Sequence, residues 1–232
     1  MIESPGPIAV VENLEAPELS DDAFHHLGRV LRLRAGAAVV ASDGRGRWRT
    51  AAITGGPTLE VTGECHFEAP PARRVGVAFA PAKGDRPEWA VQKMTECGVD
   101  RIVPLICDHG VVRWSGERAR RATDKLERVA LEASAQCRRA YLPMITPPVT
   151  LDAFLDLVVA DGSTAALTHP GGAPPSADLD WMMVGPEGGW SERELSLAPA
   201  VGLGPNVLRA ETAAVIAGAF MVAMRDGLLA PS

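Results

Sequence analysis

The sequence predicts an α/β fold in two parts, a small β-rich domain over residues 1–70 and a larger α/β domain over residues 73–232. Three observations lead there. Short β-favouring runs broken by turn signals fill the chain up to Glu68. Glu68-Ala69-Pro70-Pro71-Ala72 then reads as a proline-rich linker, after which the pattern changes. Beyond it, uncharged apolar runs such as residues 75–80 alternate with helical stretches, the pattern of a parallel sheet with helices on both faces.

Taken in order, a helix is expected over 21–31, with Ser20 as N-cap and acids in its first turn. Residues 37–42 and 48–53 are strands joined by Asp43-Gly44-Arg45-Gly46, a hairpin turn. Strands over 59–63 and 65–68 follow the Gly55-Gly56-Pro57 break, and together these strands suggest a small barrel. The second part reads as a buried strand (75–80), a helix (88–97), a strand (102–106) and a long basic helix (117–141) stopped by Pro143. Strands at 165–167 and 181–184, a short helix at 191–198, a strand at 206–208 and an Ala-rich helix at 212–228 complete it.

Hydrophobic residues make up 47% and charged residues 22%, which excludes a disordered or fibrous chain. The longest apolar stretch, 213–224, is too short to cross a bilayer as a helix, and the first residues carry no basic, apolar leader. No membrane partner and a cytoplasmic setting are therefore expected. Cys65, Cys97, Cys107 and Cys137 are scattered without a C-x-x-C pair, which favours reduced thiols over a metal or disulfide framework. The net charge of −6 argues against a chain coated in nucleic acid, but the charge is uneven. Six acids and no base precede residue 25, whereas six arginines face only Asp43 between Arg29 and Arg49. Arginines flanking a hairpin and barely neutralised there read as phosphate contacts, while those over 118–128 read as a solvated helix face.

The strongest local feature is Val184-Gly185-Pro186-Glu187-Gly188-Gly189-Trp190-Ser191, between an apolar strand and a helix. It forms a tight turn at the carboxyl end of a strand, where open α/β sheets place ligands and where glycine lets a flat ring lie on the main chain. The plain alternative is a strand–helix connection capped by Ser191; the Lys-Ser/Thr ending of a phosphate loop is missing. A second glycine turn, Leu203-Gly204-Pro205-Asn206, leads through Val207-Leu208 to Arg209-Ala210-Glu211-Thr212-Ala213. Arg209 and Glu211 either orient a substrate or cap the helix and pair with each other. The third feature, Leu167-Thr168-His169-Pro170-Gly171-Gly172, reads as a strand end followed by a loop.

Upstream stand His25-His26-Leu27-Gly28-Arg29-Val30-Leu31-Arg32, Asp43-Gly44, Lys83-Gly84-Asp85-Arg86-Pro87-Glu88-Trp89 and Gln92-Lys93-Met94-Thr95-Glu96-Cys97-Gly98-Val99. Ile102-Val103-Pro104-Leu105 and Gln136-Cys137-Arg138-Arg139 follow them. This ordered set resembles the RsmE family, the ribosomal RNA small subunit methyltransferase E proteins of the SPOUT superfamily, over nearly the whole chain. The resemblance implies an N-terminal PUA-like β-barrel that binds RNA and a SPOUT methyltransferase domain with a trefoil knot, a topology that patterning alone would never suggest. It also implies a homodimer with its active site at the subunit interface and S-adenosylmethionine as cofactor. The implied reaction is methylation of N3 of a uridine near the decoding site, in 16S ribosomal RNA or the small ribosomal subunit.

The cofactor residues that the resemblance implies fall in the same three loops. They are Leu167, His169 and Pro170; then Gly185, Pro186, Glu187, Gly188 and Gly189; then Leu203, Gly204, Val207 and Leu208, with Thr212 and Ala213 on the closing helix. Arg29, Arg32, Arg34, Arg47 and Arg139 are the expected RNA contacts. The chain departs from the family at Asn206, often Arg there, at Ala135, often Glu, and at Arg138, often Gly.

Uridine N3 is engaged in any Watson–Crick pair, so the base has to be unpaired before it reacts. Arg209 is expected to stabilise charge developing on the uracil carbonyls, and Glu211 to accept the proton or orient Arg209, with a scaffold role as the alternative. Two rival functions remain open: methylation of a ribose 2′-hydroxyl by the same superfamily, and a non-catalytic RNA-binding or ribosome-assembly role.

Overall fold

The computed structural model describes residues 2–4 and 6–229; positions 1, 5 and 230–232, among them the outer ends of both predicted domains, lie outside it. The chain divides into two compact units, Met1–Pro71 with Leu131–Leu142, and Ala72–Ala130 with Pro143–Ser232. No helix among the described residues is long and apolar enough to cross a membrane.

The first unit is a five-stranded sheet. β1 (Ile8–Val10) pairs parallel with β2 (Ala38–Ser42), which pairs antiparallel with β3 (Arg47–Ile53). β4 (Leu59–Val61) and β5 (His66–Phe67) also pair antiparallel with β3. The predicted hairpin is present: Gly44 and Gly46 take φ of 65° and 99°, and the Asp43 carboxylate accepts from the Arg45 and Arg47 amides at 2.8 and 3.0 Å. Alternation along β2 sends Val39 and Ala41 into one core cluster and Val40 into another, with Ile2, Ile8 and Ala140. Ser20 caps the predicted helix, but only α1 (Asp21–His25) is α-helical. His26–Val30 widens into a π turn that buries Leu27 alone.

The second unit runs β6 (Gly76–Phe79), α2 (Arg86–Cys97), β7 (Arg101–Ile106), α3 (Gly116–Gln136), β8 (Met144–Ile145), β9 (Val149–Thr150) and α4 (Leu151–Ala160). It continues through β10 (Ala165–Ala173), β11 (Trp181–Val184), α5 (Glu192–Leu195), β12 (Ala200–Val201) and α6 (Ala210–Arg225). Its seven strands pair in the order β12-β10-β11-β6-β7-β8, with β9 also on β7, and every pair is parallel, as the apolar runs predict. Every residue of β6 and β11 is buried. Val77, Phe79, Met182 and Val184 enter the core shared with α2 and α6, whereas Ala78, Trp181 and Met183 enter the one shared with α4. Gly76 stands opposite Trp181, and a Cβ there would lie 2.3 Å from the indole, so glycine makes room for the largest side chain of the sheet.

Four further expectations fail for physical reasons. The long helix ends at Gln136 instead of residue 141, because Arg138 turns left-handed at φ 62° and Tyr141 bridges to Arg45 and donates its hydroxyl to the Glu68 carbonyl at 2.9 Å. Residues 131–142, expected in the second domain, cluster with the first unit through such long-range pairing. No strand forms at 206–208: Pro205 has no amide hydrogen, Gly204 takes φ 127°, and no amide over 203–209 bonds a backbone carbonyl among the described residues. The sheet takes Ala200–Val201 instead. Finally, residues 169–172 belong to the extended β10, not to a loop. β8, β9 and α4 were not legible in the sequence.

α6 packs closely because its buried face is Ala210, Ala214, Ala217 and Gly218, followed by Met221 and Val222. A Cβ on Gly218 would come within 2.6 Å of Val99 Cγ2. Gly218→Leu is expected to destabilise the protein by at least about 1–3 kcal/mol through overpacking, read as a lower urea midpoint; an unchanged midpoint would refute this close approach.

Candidate active site

Leu167 pairs with Met183 on one side and with Ala200 on the other, so β10, β11 and β12 reach the carboxyl edge of the sheet side by side. The segments leaving that edge enclose a cleft of about 530 Å³, within the range of small-molecule sites, about 300–1,000 Å³. β10 supplies Thr168, His169 and Pro170; the turn after β11 supplies Gly185, Pro186, Glu187, Gly189 and Trp190. The segment after β12 adds Leu203, Gly204, Asn206, Val207, Leu208 and Arg209, and α6 adds Ala210 and Ala213. Four expected site residues do not line it: Leu167, fully buried, and Gly188, Glu211 and Thr212. Sequence reasoning did not name Thr168, Val184, Trp190, Asn206 or Ala210 as site residues, although each lies within one of the three motif segments.

His169 and Pro170 stay extended because β10 and β12 close on each other over two glycines. A Cβ on Gly172 would lie 2.5 Å from the Val201 carbonyl carbon, and the register shifts between Thr168 and Ala173. In the glycine turn, the Gly189 amide bonds the Pro186 carbonyl at 2.8 Å with Gly189 left-handed at φ 74°. Gly185 is required by packing: its Cβ would lie 2.8 Å from the Trp190 ring, whose Nε1 donates to the Thr168 carbonyl at 3.0 Å. Gly188 backs onto a neighbouring loop, since its Cβ would lie 3.2 Å from the Cβ of His109.

The loop after β7 buttresses this turn. His109 Nδ1 lies 3.2 Å from the Gly189 carbonyl. Glu194, fully buried, forms a capping box with Ser191 and accepts the Asp108 amide at 2.9 Å, which satisfies a charge that burial alone would penalise. Arg193 spans Asp108 and Asp152 at 3.1 and 2.8 Å. Side-chain bonds from Arg193 and Ser191 hold the Asp108 carboxyl below the usual range.

The charges of the site divide differently from expectation. Arg209 is the N-cap of α6, exposed, and without an ion pair among the described residues. The cation near Glu211 is Arg86, at 4.0 Å, so of the two alternatives for Arg209 and Glu211 the one in which they pair with each other is not formed. Arg86 also pairs with Glu187. Sequence reasoning placed Arg86 in a family motif but not in the site.

In the first unit, Arg29, Arg32 and Arg34 are exposed and unpaired among the described residues. Arg47 bonds Asp43 at 2.9 Å yet stays 62% exposed, and Arg139 is half-buried. Arg49 donates to the Gly63 and Leu14 carbonyls and is structural. So is Arg138, whose guanidinium bonds the carbonyls of Ile2, Ser4 and Gly6. Its backbone is left-handed at φ 62°, a conformation that glycine adopts most freely.

Burial, reinforced by Glu194 and Asp108, pushes the Cys107 thiol up to about 12. Native protein at neutral pH is therefore expected to react with a thiol reagent at exposed Cys65 and not at Cys107; rapid Cys107 labelling by peptide mapping would contradict this packing.

The chain matches the RNA methyltransferase domain family over residues 69–222 and the RNA methyltransferase PUA domain over residues 19–62. It is 30% identical to the ribosomal RNA small subunit methyltransferase E of Mycobacterium bovis, over 91% of this chain and 85% of that protein. It is similar to the crystal structure of a ribosomal RNA small subunit methyltransferase E from Neisseria gonorrhoeae bound to S-adenosyl methionine, with a TM-score of 0.82, 28% identity and 94% and 97% of the two chains covered. A putative methyltransferase from Legionella pneumophila, in complex with the bound cofactor SAM, also gives a TM-score of 0.82, with 27% identity and 95% and 98% coverage. With these matches spanning most of the sequence and the motif loops meeting at one cleft, the chain belongs to the ribosomal RNA small subunit methyltransferase E family.

Proposed function

We propose that the protein transfers a methyl group from S-adenosylmethionine to N3 of a uridine near the decoding site of 16S ribosomal RNA. The observation that carries this reading is the convergence of three strand-end segments on one cleft walled by glycine turns, apolar side chains and Arg209, which is unpaired among the described residues. The cleft suits the cofactor in size and lining: Gly185, Pro186 and Gly189 offer bare main chain to a flat ring, and Leu203, Val207, Leu208 and Trp190 offer apolar cover. Gly204, His169, Pro170, Glu187 and Ala213 complete that wall, and Leu167, Gly188 and Thr212 stand next to wall residues in sequence. When bound, the cofactor supplies a methyl already activated by its sulfonium charge.

The protein's own tasks are to hold an unpaired uracil at the cleft, exclude water and manage the N3 proton. Arg209 donates to the uracil carbonyls as negative charge develops, and Glu211 receives or directs the proton. Arg29, Arg32 and Arg34 contact RNA phosphates from the first unit, assisted by Arg47 and Arg139. The reading includes a closed PUA-like barrel, a trefoil-knotted methyltransferase domain, a cytoplasmic setting and a homodimer with its active site at the interface. In that dimer a second copy would cover Val207, which is 84% exposed at the cleft.

The test is nucleoside mass spectrometry of small-subunit RNA treated with protein and S-adenosylmethionine. N3-methyluridine is expected; a ribose-methylated nucleoside would favour the 2′-hydroxyl reading, and no cofactor binding by calorimetry the non-catalytic one. Gly185→Ala displaces Trp190 and is expected to weaken cofactor affinity by roughly tenfold, about 1.4 kcal/mol. A calorimetric constant equal to wild type would move the cofactor away from this turn. Arg209→Ala is expected to slow single-turnover transfer on the order of 100-fold while cofactor affinity holds. A wild-type rate would remove Arg209 from the chemistry.

A further inference from the structure

Arg86 begins α2, and its Nε donates to the Lys83 carbonyl at 3.0 Å, which fixes the guanidinium from behind. One terminal nitrogen, Nη1, pairs with Glu187 on the cleft wall. The same nitrogen lies 4.0 Å from Oε2 of Glu211, close enough for charge attraction but too far for a hydrogen bond. The Glu211 side chain is 11% exposed, and its Oε2 is buried without a hydrogen-bond partner. A buried carboxylate oxygen with no donor is unfavourable and calls for a reason. Its position in the first turn of α6, at the positive end of the helix dipole, supplies charge but no donor.

We propose that Arg86 is a positioning residue for methyl transfer: it holds the Glu211 carboxylate by charge while its own hydrogen bond goes to Glu187, leaving Glu211 Oε2 to accept the N3–H of the incoming uracil. The inference rests on the methyl-transfer reading above. Uracil presents an N–H between two carbonyls, and a carboxylate oxygen with a guanidinium nearby is the complement of that edge. Cytosine, with an acceptor at N3 and an amino group beside it, is not. Glu187 keeps the guanidinium from closing on Glu211; Oε2 is buried and Glu211 does not line the cleft, so the base reaches that oxygen as the Arg86 and Glu187 side chains shift. A lysine could keep the charge but could not hold the Lys83 carbonyl and Glu187 together in one planar fork.

The experiment compares wild type with Arg86→Ala, Arg86→Lys, Glu211→Gln and the Arg86→Ala/Glu211→Gln double variant. Single-turnover rates at saturating RNA and cofactor are measured beside cofactor calorimetry, RNA anisotropy and melting temperature. Arg86→Ala is expected to slow the saturating rate by roughly 30-fold or more, with both affinities within about threefold of wild type. Arg86→Lys should recover part of that rate. The double variant should be no slower than the slower single one, because Arg86 acts through Glu211. Glu211→Gln should raise the melting temperature while lowering the rate, since it removes a buried charge that lacks a donor. A wild-type saturating rate in Arg86→Ala, a defect confined to cofactor affinity, multiplied losses in the double variant, or a lower melting temperature in Glu211→Gln would each overturn the proposal. Should Arg86→Ala not fold, Arg86→Lys decides, and a wild-type saturating rate there overturns the proposal. A wild-type protein that methylates no uridine sinks the functional reading and this inference with it, whereas active wild type with unaffected Arg86 variants sinks this inference alone.

Discussion

Leu167, Met183 and Ala200 stand abreast on three neighbouring parallel strands, and the cleft inherits its geometry from that register. Parallel pairing brings every carboxyl end to one edge, so segments far apart in sequence leave the sheet side by side. A slip of one residue in β10 would turn each of Thr168 and His169 to the other face and move Leu167 from the core shared with α4 to the one shared with α2 and α6. The register is enforced by close packing of bare main chain and bulky rings. Gly172 and Gly202 let β10 and β12 approach, Gly76 accepts the Trp181 indole, and Gly185 accepts Trp190.

Around that frame, several polar groups are spent on rigidity. Glu194 is buried and saturated, Arg193 ties Asp108 to Asp152, and Arg225 ties Asp100 to Asp226, each holding a loop or helix end in place. Arg209 and Glu211 break the pattern: one is exposed and unpaired among the described residues, the other carries a buried oxygen without a donor. Glu88 Oε2 and Arg101 Nε are also buried without a hydrogen-bond partner among the described residues, so what sets Arg209 and Glu211 apart is their place on the segment that carries the cleft wall, where a ligand has something to contribute.

The first unit shows the same sorting among arginines that look alike on paper. Arg49 and Arg138 spend their donors on backbone carbonyls, Arg47 is shared with Asp43, and Arg29, Arg32 and Arg34 remain exposed along and just after the π turn. Burial and Arg45 and Arg47 act oppositely on Asp43, and the hydrogen bonds prevail, holding its carboxyl below the usual range. Composition counted six arginines against one acid between Arg29 and Arg49, but Glu15, from outside that stretch, also pairs with Arg49.

What could be read from residues alone was whatever is encoded locally. The parallel sheet follows from apolar runs such as residues 75–80 and 181–184, the hairpin from Asp43-Gly44-Arg45-Gly46, and the ligand-facing turns from glycines at strand ends. Family motifs added most of the cleft wall. Tertiary structure decided everything that depends on a distant partner. It ended α3 at Gln136 by pairing Tyr141 with Arg45, drew residues 169–172 into β10, denied residues 206–208 a strand, and gave Glu211 to Arg86 instead of Arg209. The two partners in that last contact are separated by most of the methyltransferase domain. Local propensity and spacing carry no information about such a pair, because its energy exists only once the sheet has brought the strand ends together.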